Sequence, residues 1–356
     1  MCKMSSSANN TRTEYMMSKE DNPGATKKVS GLFEAIVDKE IVRISEEMQN
    51  IASKRLLQRR EELKAFEKSV TEIWGISFHL LDVFIQATLD LGASFNAEHR
   101  PDAVRTKDFV FEALSRLHGR GCRTAGEVLV LMERGYASGA FSRWRTIHEL
   151  AVVSHFVRAY GNATAERYLE HNQIESCRAM NLHQKYSDKL GVEPYSEDEM
   201  RESKKVENDL CKRFGKEFTR EYGWASVSLH NRNPRLTDLE RAVGLDYLRP
   251  YYKLASHDIH AGPKGIIFSI GLSPGAFKRI IPAGPSNAGM ADPGQCTAIS
   301  LFQITEALMA THGGLEKSVR LKALDRLRAS ACSEFVRIHK SVEEPQMRRK
   351  KRADYG

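Results

Sequence analysis

Two short runs concentrate titratable side chains inside otherwise apolar helical patterns. One is Gly139–Tyr160, which carries Arg143, Arg145, His148, Glu149 and His155. The other is Tyr251–Pro263, which carries Tyr251, Tyr252, His257, Asp258 and His260. Buried charge costs several kcal/mol unless it is paired or used, so such clusters are the default candidates for a site. On a helix, Trp144, His148, Ala151 and His155 share one stripe, and Arg145, Glu149, Val152 and Phe156 share the next. Arg145 and Glu149 stand one turn apart, the spacing of an ion pair. The plainest reading is that they neutralise each other inside a bundle.

Three chemistries fit these residues. A metal-independent ribonuclease would use His148 as acid or base, because its pKa lies nearest neutrality. Arg143 would offset the charge growing on the phosphate, and the RNA 2′-hydroxyl would attack, so neither metal nor cofactor is expected. Glu149, His257 and His260 complete the candidate catalytic set, with Arg145, Tyr168, His171 and Tyr252 as binding candidates. Positions i and i+5 lie about 140° apart on a helix, so a bend or a partner subunit must bring Arg143 to His148. A metal site would recruit His148, Glu149, His171, Glu175, His257 and His260, but the paired E-x-x-H motifs of di-metal bundles are missing. A third chemistry is RNA or nucleotide binding without cleavage, by Trp144, Tyr168, Trp224, Tyr251 and Tyr252 with Arg143, Arg167 and Arg249. The bland alternative is a non-enzymatic interaction protein whose aromatics simply fill a core.

The elements that must position these groups read as helices throughout. Ile41, Ile44, Met48 and Ile51 follow a 3-4-3 spacing, and Leu56, Leu63, Phe66, Val70 and Ile73 continue it after a phase shift. That is a long amphipathic helix, packed on its own domain or paired as a dimerising coiled coil. Gly92 and Pro101 predict a break, and Gly119 and Gly121 the end of a helix over 104–118. Further helices are predicted over 125–134, 136–160, 163–190, from about Ser196 to Phe214, and from Pro250 through the second cluster. Thr237 with Glu240 reads as a capping box. The stretch 261–297, rich in Gly and Pro, predicts a long loop with a β-like run at Ile266–Ile270; neither GPKG nor SPGAFKR within it is a P-loop. Helices over 298–312 and 315–340 close the chain. The fold class expected is all-α: a helical bundle core over 95–340, a long N-terminal helical arm over 31–94, and disordered tails over 1–30 and 341–356.

Bulk properties narrow the setting. The 356 residues are 41% hydrophobic, with a net charge of +8 and a pI near 9.1. Five of the positive charges form the run Arg348–Arg352, a solvated tail or an anion-attracting one. The six cysteines are widely spaced with no C-x-x-C pair, which argues against structural zinc and for reduced thiols. No leader-like apolar segment opens the sequence and no uninterrupted apolar run reaches about 18 residues. The expectation is a soluble, cytoplasmic protein that self-associates through helices, has no membrane partner, and takes RNA as its candidate ligand.

Several strings resemble, in order and spacing over about residues 120–275, an uncharacterised family of bacterial helical proteins known only by a domain-of-unknown-function label. They are GAFSRWRTIHELAVVSHFVRAYG, AERYLEHN, EYGWAS and YYKLASHDIHAGPKG. The resemblance implies a helical fold and brings no activity with it. Arg143, four residues, then His148 is also similar to the mark of HEPN domains, four- to five-helix bundles of which many are ribonucleases in toxin and antiviral systems. This second resemblance implies RNA binding or cleavage in stress or phage defence. The same spacing recurs at Arg178 and His183, and Trp144 stands where many HEPN motifs carry Asn, Asp or His.

Overall fold

A computed structural model describes the backbone of residues 23–267 and 284–354 and the side chains of 31–265 and 284–342. Among the described residues ten α-helices follow one another: α1 (Pro23–Thr106), α2 (Phe109–Glu133), α3 (Ala137–Tyr160), α4 (Asn162–Leu190), α5 (Glu197–Phe214), α6 (Leu236–Ala242), α7 (Arg249–Ser256), α8 (Pro263–Ile267), α9 (Ala291–Met309) and α10 (Leu315–Asp354). Short 3₁₀ turns occupy Lys216–Thr219, Gly223–Ala225 and Asp246–Leu248. Among the described residues there is no strand, so the chain is all-α.

Several helix ends are set by local chemistry legible in the sequence. Ser196 caps α5, accepting from the Glu199 N–H while Glu199 accepts from the Ser196 N–H. Gly161, Gly191 and Gly215 follow α3, α4 and α5 with positive φ, the backbone region that favours glycine.

Other glycines mark close packing instead. α1 runs unbroken through Gly92 and Pro101, and a Cβ on Gly92 would lie 2.1 Å from the His118 ring. α2 runs unbroken through Gly119 and Gly121, and a Cβ on Gly121 would meet Ile304 of α9 at 2.9 Å. α9 begins at Ala291, inside the stretch predicted as loop; Pro293 fits its first turn, and Gly294 leaves room for the Phe335 ring of α10. Ile266 and Ile267 belong to α8, and the rest of the expected β-like run lies outside the described residues. α1 reaches back to Pro23 and α10 runs on to Asp354, each into a stretch expected to be a disordered tail, while residues 1–22 lie outside the described residues.

The chain divides into a smaller unit, reaching to Lys68 with Lys189–Gly191, and a larger one holding Ser69–Asp188 and the remainder from Val192. In the larger unit α3 is buried nearly all round, by Phe141, Trp144, Ile147, Ala151, Val152 and Phe156 among others, as expected of a core helix apolar on every face. α2 and α9 pack along it, and α10 packs on α9. The portion of α1 from Ser69 supplies Val70, Trp74, Phe78, Leu81 and Phe84 to the same core. Trp74 and Phe78 pack on Phe335, and Trp74 Nε1 donates to the Asn287 carbonyl at 2.8 Å. One stretch of α1 is long and apolar enough by composition to cross a membrane, a property shared by core helices that bury one face as this one does.

The irregular stretch after α5 is tied down by Arg167 of α4. Its buried guanidinium donates to the carbonyls of Trp224, Gly223 and Phe214 at 3.0, 3.2 and 3.3 Å and to Ser226 Oγ at 3.3 Å. The Gly223 carbonyl also accepts from the Ser226 N–H, so the guanidinium adds to the bonds of the turn itself.

Candidate functional site

α3 presents its polar residues in two directions. Arg143 lies on the side facing α2, half-exposed and ion-paired with Glu127, with Thr146 Oγ1 at 3.3 Å. His148, about 140° round the helix, is fully enclosed and its Nε2 lies 3.0 Å from Glu240 Oε1 of α6. The pair expected to act together therefore points apart within one chain.

Around His148 the structure gathers a continuous polar network. Glu240, itself buried, takes a second contact from Arg249 Nη1 of α7 at 2.8 Å. Because a carboxylate only accepts, Nε2 of a neutral His148 ring carries the hydrogen. Nδ1 is then left buried with no hydrogen-bond partner, as is Arg145 Nε. The His148 ring lies between those of Trp144 and Tyr252, each 5.6 Å away centroid to centroid.

Beside it stands a second triad. Tyr252 Oη of α7 accepts from Arg145 Nη2 at 2.6 Å and donates to Glu149 Oε1 at 2.5 Å. Arg145 and Glu149 are 3.8 Å apart, so the predicted ion pair is bridged by the phenol. The Arg145 guanidinium also lies 4.2 Å from the Tyr252 ring centroid. Burial, and then the bond to Glu149, pushes the Tyr252 phenol up to about 12 against the lowering effect of Arg145. Tyr222 is held neutral as well, first by burial and then by the negative field of Glu149, Glu221 and Glu240.

Of the candidates, Arg145, His148, Glu149 and Tyr252 meet here. His171 and Tyr168 serve the segment tied by Arg167: His171 Nε2 donates to the Arg220 carbonyl at 2.8 Å, and Tyr168 packs edge-on against Trp224. Burial lowers the His171 pKa, and burial raises that of Tyr168. His257 is half-buried just past the end of α7, and His260 is exposed. Among the described residues no three His, Cys, Asp or Glu side chains are grouped to hold a metal ion.

Sequence reasoning missed Glu240, Arg249 as its partner, and Tyr222. Glu240 had an apparent role as a capping residue. In the structure α6 starts two residues earlier, with Arg235 in the N-cap position; Asp238 accepts from the Arg235 N–H, and Glu240 turns inward to His148. An acid and a histidine 92 residues apart carry no spacing signal.

Fold and site together define an all-α bundle whose central helix carries an Arg/His/Glu/Tyr network closed by two short helices. Residues 111–277 match the model of a family of unknown function, DUF5677. That segment takes in α2 to α8 and hence the whole network. No curated protein and no solved structure matches the chain.

Proposed function

We propose that the protein binds single-stranded RNA along α7 and the turn before it, with the network behind this surface holding it rigid. The observation that carries this is the exposure of Tyr247 and Tyr251, 59% and 42%, on either side of Arg249. Lys253 and Lys264 are exposed nearby in the chain, and four bases stand against two acids between Arg241 and Lys264. Stacking on exposed rings is worth about 1–3 kcal/mol per base, and basic side chains track the backbone. Fluorescence anisotropy with a labelled single-stranded RNA tests it. Tyr247→Ala with Tyr251→Ala should weaken binding at least ten-fold (about 1.4 kcal/mol,), and Lys253→Ala should flatten the salt dependence. Wild-type affinity in the double tyrosine variant, or no binding by the wild type, would sink the proposal.

A second reading, metal-independent RNA cleavage of HEPN type, is favoured by the unpartnered His148 Nδ1 and Arg145 Nε. It needs an opening to the enclosed His148 and an arginine other than the Arg143 of the same chain. EDTA-resistant cleavage lost in His148→Ala would establish it. Binding without cleavage leaves the first reading standing.

A further inference from the structure

The smaller unit contains a surface that the RNA-binding proposal does not use. Val37, Ile41, Ile44, Met48 and Ile51 recur along α1 at intervals of 4, 3, 4 and 3 residues. All are exposed, Met48 by 66%. This is the spacing of a two-stranded coiled-coil seam, and a contiguous apolar stripe of this kind is seldom left to water.

The charges along the same stretch are sorted. Residues 34–47 hold five acids and two bases, whereas residues 54–68 hold six bases and three acids. Arg43 already bridges Glu40 and Glu47, and Lys64 pairs with Glu61. These exposed pairs within one helix are weak and leave the net imbalance of each half unchanged. A parallel pair of such helices would set acidic half on acidic half and basic on basic. An antiparallel pair sets each half against its complement.

We propose that residues 34–68 of α1 pair with the same residues of a second copy of this chain as an antiparallel coiled coil. The apolar seam of 37–51, continued after a one-residue phase shift by Leu56, Leu63 and Phe66, supplies the attraction, and the charge sorting supplies the orientation. The arm lies outside the matched family segment at 111–277.

The test is light scattering on the full chain after size exclusion, over a range of concentrations. Wild type should be a dimer. Reversing the basic half (Arg55→Glu, Arg59→Glu, Arg60→Glu) should weaken dimerisation at least ten-fold. So should reversing the acidic half (Glu34→Lys, Asp38→Lys, Glu40→Lys). Both sets in one chain should restore the dimer, which also shows that the variants fold. Ile44→Asp with Ile51→Asp should give monomer under all conditions. A monomeric wild type, a dimer indifferent to either reversal, or no recovery in the combined variant would overturn the proposal.

Discussion

The two polar clusters on α3 use nearly the same residue types and end in different environments. In the first, His148 and Glu240 are both shut off from solvent, and only Arg249 reaches outward. In the second, Tyr252 is buried while Glu149 keeps 39% of its side chain exposed. The enclosed cluster has every charge matched by geometry and nowhere to send a freed one. The half-open cluster can pass a lost interaction to water. The difference teaches that similar side chains on one helix are structural or adaptable according to the depth of their partners.

Removing one partner from each cluster is the direct way to break that contrast. Glu240→Ala strands His148 and the inward end of Arg249, and should cost about 3 kcal/mol in urea unfolding; Glu240→Gln, which still accepts from Nε2, should cost less than half as much. Equal costs for the two variants would mean that the carboxylate charge, lost in both, matters there and the retained acceptor does not. Tyr252→Phe should cost about 1–2 kcal/mol, because Arg145 and Glu149 lose their shared hydroxyl but remain neighbours. Its pH dependence sharpens the point. The Tyr252 phenol is raised in the fold to about 12, above its unfolded value near 10. Its contribution is therefore complete below pH 10 and is lost as pH rises through about 12. Urea midpoints between pH 8 and 11 should fall less in Tyr252→Phe than in wild type. The smallest effect belongs to Arg143→Ala, where a half-exposed pair with Glu127 is lost. A change of no more than about 0.5 kcal/mol is expected, and a larger one would place Arg143 among the structural charges.

The sequence was most readable where a single residue acts on its own backbone. The ends of α3, α4 and α5 and the start of α5 follow from Gly161, Gly191, Gly215 and Ser196, whose roles are local. It was least readable where a residue acts across the fold. Gly92, Gly121 and Gly294 look like breaks in a linear reading, because the cost of glycine in a helix is visible and the side chain that needs the space is not. His118, Ile304 and Phe335 come from other helices. The site divides in the same way. Arg145 and Glu149 were legible from their spacing of one turn, and Glu240 was not, since its partner lies on a different helix.

The Arg167 clamp has a consequence for how the molecule opens. One guanidinium holds the carbonyls of Phe214, Gly223 and Trp224 together with the Ser226 hydroxyl, and burial lowers its own pKa. All four acceptors lie within residues 214–226 and share one guanidinium, so its withdrawal frees them together. The amide hydrogens of the 3₁₀ turns at Lys216–Thr219 and Gly223–Ala225 should therefore exchange with solvent as one cooperative unit, at a rate set by the release of one arginine.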